Sequence, residues 1–388
     1  MKITALFKEF YESEKAGGVI LLFVTIISLA LANSPIQSSY IAFWQFDIGG
    51  HSITHWINDA LMAVFFLLIG LELEREIYKG ELSDIKNASF PLIGAMGGFI
   101  IPACIFLLFN FGTATQAGAG IPMATDIAFA IGILSLLGNR VPLSLKIFLT
   151  ALAVIDDLIA IIVIAIFYTK TIIWTNLLLS LVVFAVLLLL NRLKVKSLVP
   201  YLLGGVVMWY FMYNSGVHAT ITGVLLAFAI PFGNGDKKST SYVLQHFLHK
   251  PVAFIILPLF AIANTSIAIG ADWQNGLGES NSIGIMAGLI LGKPIGIVAF
   301  AFTGALIGLC KLPKGLQWKN IVGVGLLGGI GFTMSIFITI LAYDDIALIN
   351  SSKIAIILAS VTAGLLGFLF LKFTLKPKRK SKKLSELE

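Results

Sequence analysis

The chain has 388 residues, of which 58% are hydrophobic and 12% are charged, and its mean hydropathy is +0.95. Soluble domains carry about 25% charged residues, so this composition excludes a soluble globular domain and favours a chain surrounded by lipid. The net charge of +7 comes from short loops and a basic tail without interleaved aromatic residues, which argues against nucleic-acid binding. Cys104 and Cys310 lie far apart in or beside apolar stretches, so we expect neither a disulfide nor a metal cluster.

Twelve apolar stretches follow a short charged N-terminal segment that has no signal-peptide cleavage pattern. Most approach the roughly 20 residues that a helix needs to cross the hydrocarbon layer, and their sequences do not alternate as barrel strands do. We therefore predict an all-α polytopic membrane protein of about 12 transmembrane helices, with residues 1–388 forming a single domain. The stretches are approximately 17–33, 54–72, 89–110, 121–137, 143–168, 173–191, 198–213, 215–231, 251–270, 283–308, 319–343 and 352–373.

Lysines and arginines are distributed unevenly between the two sides of this topology. Nearly all of them fall in the N-terminal segment, the even-numbered loops and the C-terminal end, whereas the odd-numbered loops hold only Lys170 and Lys353. The positive-inside rule then predicts an inner-membrane protein with both termini in the cytoplasm. Residues 375–388 form a basic cytoplasmic tail that we expect to contact anionic lipid.

The first outside loop contains Gly49-Gly50 between short apolar and aromatic runs. This pattern is compatible with a periplasmic β-hairpin or with an ordinary loop.

Ionisable residues inside a membrane span are expensive unless they are paired or face water, so each is a candidate functional group. Asp156 and Asp157 lie near the middle of the fifth stretch. Adjacent helical residues point about 100° apart, so both carboxyls could border one cavity and still have different partners. The alternative is a pair of protonated acids that only bond to neighbouring helices.

Two further spans carry unusual polar groups. Thr125 and Asp126 follow Pro122 in the short fourth stretch, which indicates either an interrupted helix at a transport site or a helix N-cap, or both. Lys293 lies too deep in the tenth stretch for its side chain to reach the membrane surface. It therefore needs a carboxylate partner, for which Asp156 and Asp126 are the candidates. We interpret Asp59 and His218 more simply, as a helix-end contact and a packing residue.

The eleventh stretch is rich in glycine before Phe332, which permits unwound or closely packed backbone. A proline-interrupted fourth helix and a glycine-interrupted eleventh helix would occupy matching positions if residues 89–168 and 283–374 formed inverted repeats. Such paired interruptions point to a transport site.

Several of these segments together resemble the NhaA family of sodium/proton antiporters, along essentially the whole chain. The segments that carry the resemblance are Trp56-Ile-Asn-Asp-Ala-Leu-Met-Ala-Val-Phe-Phe, Ala124-Thr-Asp-Ile-Ala-Phe, Leu145-Lys-Ile-Phe-Leu, Ile155-Asp-Asp-Leu, Ser215-Gly-Val-His-Ala-Thr, Leu257-Pro-Leu-Phe-Ala, Gly292-Lys-Pro and Gly329-Ile-Gly-Phe-Thr-Met-Ser-Ile-Phe.

The resemblance implies that Asp157 and Asp156 form the cation and proton site, with Thr125 and Asp126 at the broken fourth helix. It also implies that Lys293 pairs with Asp156 and balances opposed helix ends. A cytoplasmic pH-sensing cluster would comprise Glu72, Arg75, Glu76, His246 and His249. Gln245 replaces a familiar glutamate and Glu74 a familiar basic residue, so the set point or steepness of pH activation is expected to differ. The hairpin at Gly49-Gly50 would be a contact between the two subunits of a homodimer.

The sequence thus predicts a secondary transporter, and not an enzyme, that exchanges cytoplasmic Na⁺ or Li⁺ for external H⁺. Burial disfavours a charged carboxylate, so one site can hold either protons or a hard, oxygen-seeking cation. If more than one proton exchanges per cation, transport is electrogenic. No cofactor is expected.

The alternatives are a cation channel, which needs a continuous water path, and a proton-coupled symporter. A membrane enzyme is the weakest, because neither a metal-ligand histidine pair nor a nucleophile with its base is evident.

Overall fold

Helices account for nearly all of the regular structure in a computed structural model that describes residues 14–169, 171–270 and 273–375. This confirms the predicted all-α polytopic class. The helices are α1 (Glu14–Ala32), α2 (Gln37–Gln45), α3 (Ile53–Tyr78), α4 (Ile85–Asn110), α5 (Ile127–Leu136), α6 (Leu143–Phe167), α7 (Trp174–Arg192), α8 (Val199–Tyr213), α9 (Ile221–Ala229), α10 (Thr240–Asn264), α11 (Trp273–Leu277), α12 (Ser280–Leu306), α13 (Trp318–Gly328), α14 (Phe332–Ala342) and α15 (Ile346–Thr374). Short 3₁₀ turns form at Glu81–Ser83, Gln116–Met123 and Gly138–Arg140.

The predicted number of about twelve membrane crossings is not confirmed by the lengths of the helices. In the described ranges, eight helices are long and apolar enough to cross a membrane, or up to ten if each bent helix pair is counted as one span. Each of the twelve predicted stretches overlaps a helix, but α8 and α9 are shorter than a full crossing. Exposed leucine and valine side chains on α7 and α8 are typical of a lipid-facing surface.

The hairpin predicted at Gly49-Gly50 is present. Strands β1 (Asp47–Ile48) and β2 (His51–Ser52) pair antiparallel, with Ile48 opposite His51. Both glycines have positive φ, at 67° and 90°, as a two-residue hairpin turn requires. The Trp56 indole donates a 2.8 Å hydrogen bond to Ile48 O, which ties the hairpin to the first turn of α3.

Both predicted helix interruptions are also present. Residues 124–126 are extended between the 3₁₀ turn that contains Pro122 and the start of α5. The glycine-rich stretch breaks between α13 and α14, whose axes differ by 46°.

Two sequence-based boundaries were wrong. The ninth stretch was predicted to begin at 251, but α10 begins at Thr240 and continues through Pro251 into a π-helical turn, Val252–Ile256. The wider turn accommodates the missing proline N–H. Lys353, which the sequence placed in an outside loop, lies on α15 and is buried. That helix begins earlier than predicted because the side chain of Asp345 accepts a hydrogen bond from Ala347 N at 2.9 Å.

Helices α4 and α12 are in close contact, and this contact determines where Lys293 lies. A Cβ atom added at Gly97 would meet the backbone carbonyl of Gly296, and one added at Gly296 would meet that of Gly97. The two backbones can therefore touch only because both positions lack a side chain. This contact brings Lys293, one turn earlier on α12, next to α4 and α6.

Candidate functional site

The two interrupted helices meet at their breaks, deep in the protein. Asp126 N donates a 2.6 Å hydrogen bond to Ile330 O. The Thr125 hydroxyl donates to Gly328 O at 2.9 Å. Each break therefore satisfies backbone groups that the other leaves without helical partners, as membrane burial demands.

Asp126 caps two helices at once. Its Oδ1 accepts from Phe129 N at 3.0 Å, at the N-terminus of α5. Its Oδ2 accepts from both the backbone N–H of Thr333 (3.1 Å) and the Thr333 hydroxyl (2.5 Å), at the N-terminus of α14. All three partners are donors, and helix N-termini favour negative charge, so this environment suits a carboxylate. The two alternatives left open by the sequence, helix cap and interrupted helix, are both realised.

Lys293 pairs with Asp156 and not with Asp126, the other candidate partner. Lys293 Nζ lies 2.5 Å from Asp156 Oδ2. The Thr125 hydroxyl lies 2.7 Å from the same oxygen, so its single proton is shared between Asp156 Oδ2 and Gly328 O. Lys293 is completely buried and Asp156 nearly so. The other carboxyl oxygen, Asp156 Oδ1, is buried without a hydrogen-bond partner.

Asp157 occupies a different environment from its neighbour on α6. Its side chain is 1% exposed, and its Oδ1 is buried without a hydrogen-bond partner. The expected water-filled cavity is therefore not open at the aspartate pair in this conformation, because both side chains are covered by protein.

The oxygen atoms gathered here suit a small alkali cation. Asp156 Oδ1, Asp157 Oδ1, the Thr125 hydroxyl and the Gly328 carbonyl are oxygen donors, the ligand type that hard cations prefer. Within the described ranges, no group of three or more histidine, cysteine, aspartate or glutamate side chains is arranged to hold a metal ion.

Four of the five residues predicted to sense pH make contacts between α3 and α10, at the opposite end of α3 from the hairpin. His249 Nδ1 lies 3.6 Å from Glu72 Oε1. The Arg75 guanidinium lies 5.2 Å from the centre of the Tyr242 ring, which stacks on His246 with the ring centres 6.0 Å apart. Glu76 is turned towards its own loop, where Oε2 accepts a 3.0 Å hydrogen bond from Glu81 N. The unexpectedly early start of α10 supplies both histidines and Tyr242.

Two functional candidates were missed by the sequence. Thr333 was visible only as part of the motif after the glycines, although it supplies two of the three donors to Asp126. Glu74, noted only as an unusual residue in a charged run, is buried, and its Oε2 has no hydrogen-bond partner. A helical spacing argument could have found Glu74, because Phe66, Gly70 and Glu74 share one face of α3 and all three are buried.

Two tyrosines hold the 3₁₀ segment that precedes the first interruption. The Tyr343 hydroxyl donates to Thr115 O at 2.9 Å, and the Tyr168 hydroxyl donates to Ala117 O at 2.8 Å. The glycines of this segment leave room for the two rings.

The paired interruptions, the buried aspartates and the lipid-facing surface define a polytopic membrane transporter of the broken-helix type. Comparison with known proteins agrees: the profile of the family described as Na+/H+ antiporter 1 matches residues 8–371. The chain belongs to this family, which confirms the resemblance to NhaA.

Individual relatives cover nearly the full length. A protein named Na(+)/H(+) antiporter NhaA 1 from Flavobacterium johnsoniae is 66% identical over 375 residues, covering 97% of this chain and 98% of its own. Na(+)/H(+) antiporter NhaA of Flavobacterium psychrophilum is 64% identical over 376 residues, covering 97% and 98%. The protein of that name from Dechloromonas aromatica is 60% identical over 376 residues, covering 96% and 97%.

Proposed function

We infer that this chain is a membrane transporter that exchanges Na⁺ for H⁺, as its family membership and its relatives' names indicate. We propose that Asp156 and Asp157 are the groups that exchange the ions. The observation that carries this assignment is the position of two adjacent, buried carboxyls with unpartnered oxygens beside the junction of two interrupted helices.

Competition between a cation and protons follows from the charges at this junction. Lys293 offsets the charge of Asp156, whereas Asp157 has no such ion pair among the described residues. In the proposed cycle Asp157 binds Na⁺ directly, and the incoming positive charge weakens the attraction between Asp156 and Lys293. Asp156 and Thr125 then contribute oxygens to the cation, while Asp126 remains fixed as the cap of α5 and α14. Protons leave the site as the cation enters, and they return when it departs.

Movement of the interrupted helices would expose the site to one side at a time. The contacts that join the two breaks are few and local, so this junction is a suitable place for such movement. We propose that residues 89–168 and 283–374 act as inverted repeats around it. More than one proton exchanged per cation would make transport electrogenic, and an inside-negative potential would then drive export of cytoplasmic Na⁺ at about 2.3 kcal/mol per charge per 100 mV. The oxygen ligands also suit Li⁺.

Regulation by cytoplasmic pH is proposed for Glu72, Arg75, Glu76, His246 and His249. Histidine changes charge near neutral pH, and protonation of His249 would strengthen its attraction to Glu72. This contact joins α3 to α10, so a change of pH could alter the relative position of these helices through it.

We further propose an inner-membrane location with both termini in the cytoplasm, contact of the basic tail 375–388 with anionic lipid, and a homodimer formed through the hairpin at Gly49-Gly50.

The decisive experiment measures exchange in everted membrane vesicles with a pH-sensitive acridine dye. We expect Asp157→Asn to abolish Na⁺- and Li⁺-dependent dequenching, because the substitution removes the carboxylate charge without changing side-chain size. Asp344→Asn is the matched control, since Asp344 is exposed outside the helices, and it should exchange normally. Undiminished Na⁺-dependent dequenching in Asp157→Asn would contradict the assignment. Sodium flux that needs no opposing proton gradient would instead favour a channel.

A further inference from the structure

A second cluster of titratable side chains lies at the hairpin end of α3, far along that helix from the proposed pH-sensing residues. It joins three separate parts of the chain: β2, which supplies His51; the start of α3, which supplies His55 and Asp59; and the end of α8, which supplies Tyr213. The two imidazole rings are stacked, with their centres 4.4 Å apart and their planes 19° from parallel. All four side chains are connected by short polar contacts.

The Tyr213 hydroxyl lies between the two histidines. It is 3.0 Å from His51 Nε2 and 2.9 Å from His55 Nε2. His55 Nε2 is also 3.2 Å from Asp59 Oδ2. A hydroxyl has one proton to donate, so an economical arrangement has Tyr213 donating to His51 and His55 donating towards Tyr213 and Asp59.

Charge limits how many protons this cluster can hold. One positive charge on His55 is offset by Asp59. A second positive charge on His51 would be stacked against the first and would have no second carboxylate in the cluster to offset it. The neighbouring Asp47 on β1 accepts a 2.9 Å hydrogen bond from Gly50 N within the hairpin turn. His218, which precedes α9, also interacts electrostatically with Asp59 and bonds to Tyr168 O at 2.9 Å. A histidine can carry only a positive charge, so His218 does not offset a charge on His51.

We propose that His51 and His55 form an additional proton-binding site that holds the hairpin on α3 and α8 near neutral pH and releases it when a second proton binds. The proposed topology places this site on the external face. It would make hairpin attachment responsive to external acid, separately from the cytoplasmic residues. The Tyr213 bond to His51 and the ring stack are contacts that a doubly charged pair weakens, whereas the Trp56 bond to Ile48 O carries no charge and sets the residual attachment.

Amide hydrogen–deuterium exchange of the full-length protein in lipid nanodiscs tests this directly and does not depend on transport. After correction for intrinsic rates, we expect exchange of residues 47–56 to rise about tenfold between about pH 7.5 and about pH 5.5. H51Q should abolish this step, because only the compensated His55–Asp59 pair remains. Y213F should raise exchange of the same segment at both pH values, because the ring stays but the shared hydroxyl is lost.

Two controls separate the proposal from general effects of acid. H246Q/H249Q removes the histidines at the other end of α3 and should leave the pH step of residues 47–56 intact. Exchange of residues 143–167 reports whether each variant retains its fold. The absence of a pH step in the unmodified protein, or an undiminished step in H51Q, would overturn the proposal.

Discussion

The buried pair between Lys293 and Asp156 permits a quantitative prediction. Lys293→Met keeps most of the side-chain volume but removes the charge that lies 2.5 Å from Asp156 Oδ2. Asp156 would retain only the Thr125 hydroxyl as a donor, since its Oδ1 has no hydrogen-bond partner. Removal of one partner from a buried pair typically costs about 3–5 kcal/mol, because the other charge is left uncompensated. We therefore expect a loss of stability in this range for Lys293→Met.

Neutralising both partners should recover much of that loss. In Lys293→Met combined with Asp156→Asn, no buried charge remains, and the Thr125 hydroxyl can still bond to the amide oxygen. The double variant should thus be more stable than the sum of the two single effects implies, with a coupling of about 2–3 kcal/mol. Unfolding of the purified protein in detergent, followed by tryptophan fluorescence, measures all four members of the cycle. Lys319→Met with Asp156→Asn is the matched control, because Lys319 is exposed, and its effects should add. Additive effects for the Lys293 cycle would refute the argument that the pair is electrostatically coupled.

Three further substitutions test individual contacts. Thr333→Val should impair Na⁺ exchange in everted vesicles by disturbing Asp126, and Thr333→Ser should restore it because the hydroxyl that donates to Asp126 Oδ2 returns; equal defects in both would show that the hydroxyl is not the cause. Glu74→Met should stabilise the protein by about 1–3 kcal/mol, because it removes a buried oxygen without a hydrogen-bond partner; a loss of stability in thermal unfolding would contradict this. Gly118→Ala should destabilise by about 1–3 kcal/mol, because the new Cβ would overlap the Tyr343 hydroxyl; Gly270→Ala, with no atom within 4 Å of its added Cβ, should be silent in the same unfolding assay.

Local signals account for the parts of the fold that the sequence predicted well. Long apolar stretches specify membrane helices because lipid leaves the backbone few other ways to satisfy its hydrogen bonds. The two interruptions were predictable because proline and clustered glycine change the backbone conformation at their own positions. The hairpin was predictable for the same reason, since Gly49 and Gly50 adopt the positive φ angles of its turn.

Contacts between distant segments could not be predicted from the residues alone. The choice of Asp156 over Asp126 as the partner of Lys293 depends on how α4, α6 and α12 pack. The bond from Thr333 to Asp126 joins residues 207 positions apart. Pro251 was misread as a helix start because its missing N–H is accommodated by the π-helical turn that follows.

Asp126, Asp156 and Asp157 differ in how many donors the protein gives them, and this difference argues for a division of roles. Asp126 receives three hydrogen bonds from two helix N-termini, so neither a proton nor a cation is needed to satisfy it. Asp156 receives an ammonium and a hydroxyl on one oxygen and nothing on the other. Asp157 has an unpartnered buried oxygen and no ion pair within the described residues, so the protein offsets its charge least. We therefore propose that a bound proton or Na⁺ stabilises Asp157 more than either of the others. Exchange of one for the other should begin there, and Asp156 should follow as its attraction to Lys293 weakens.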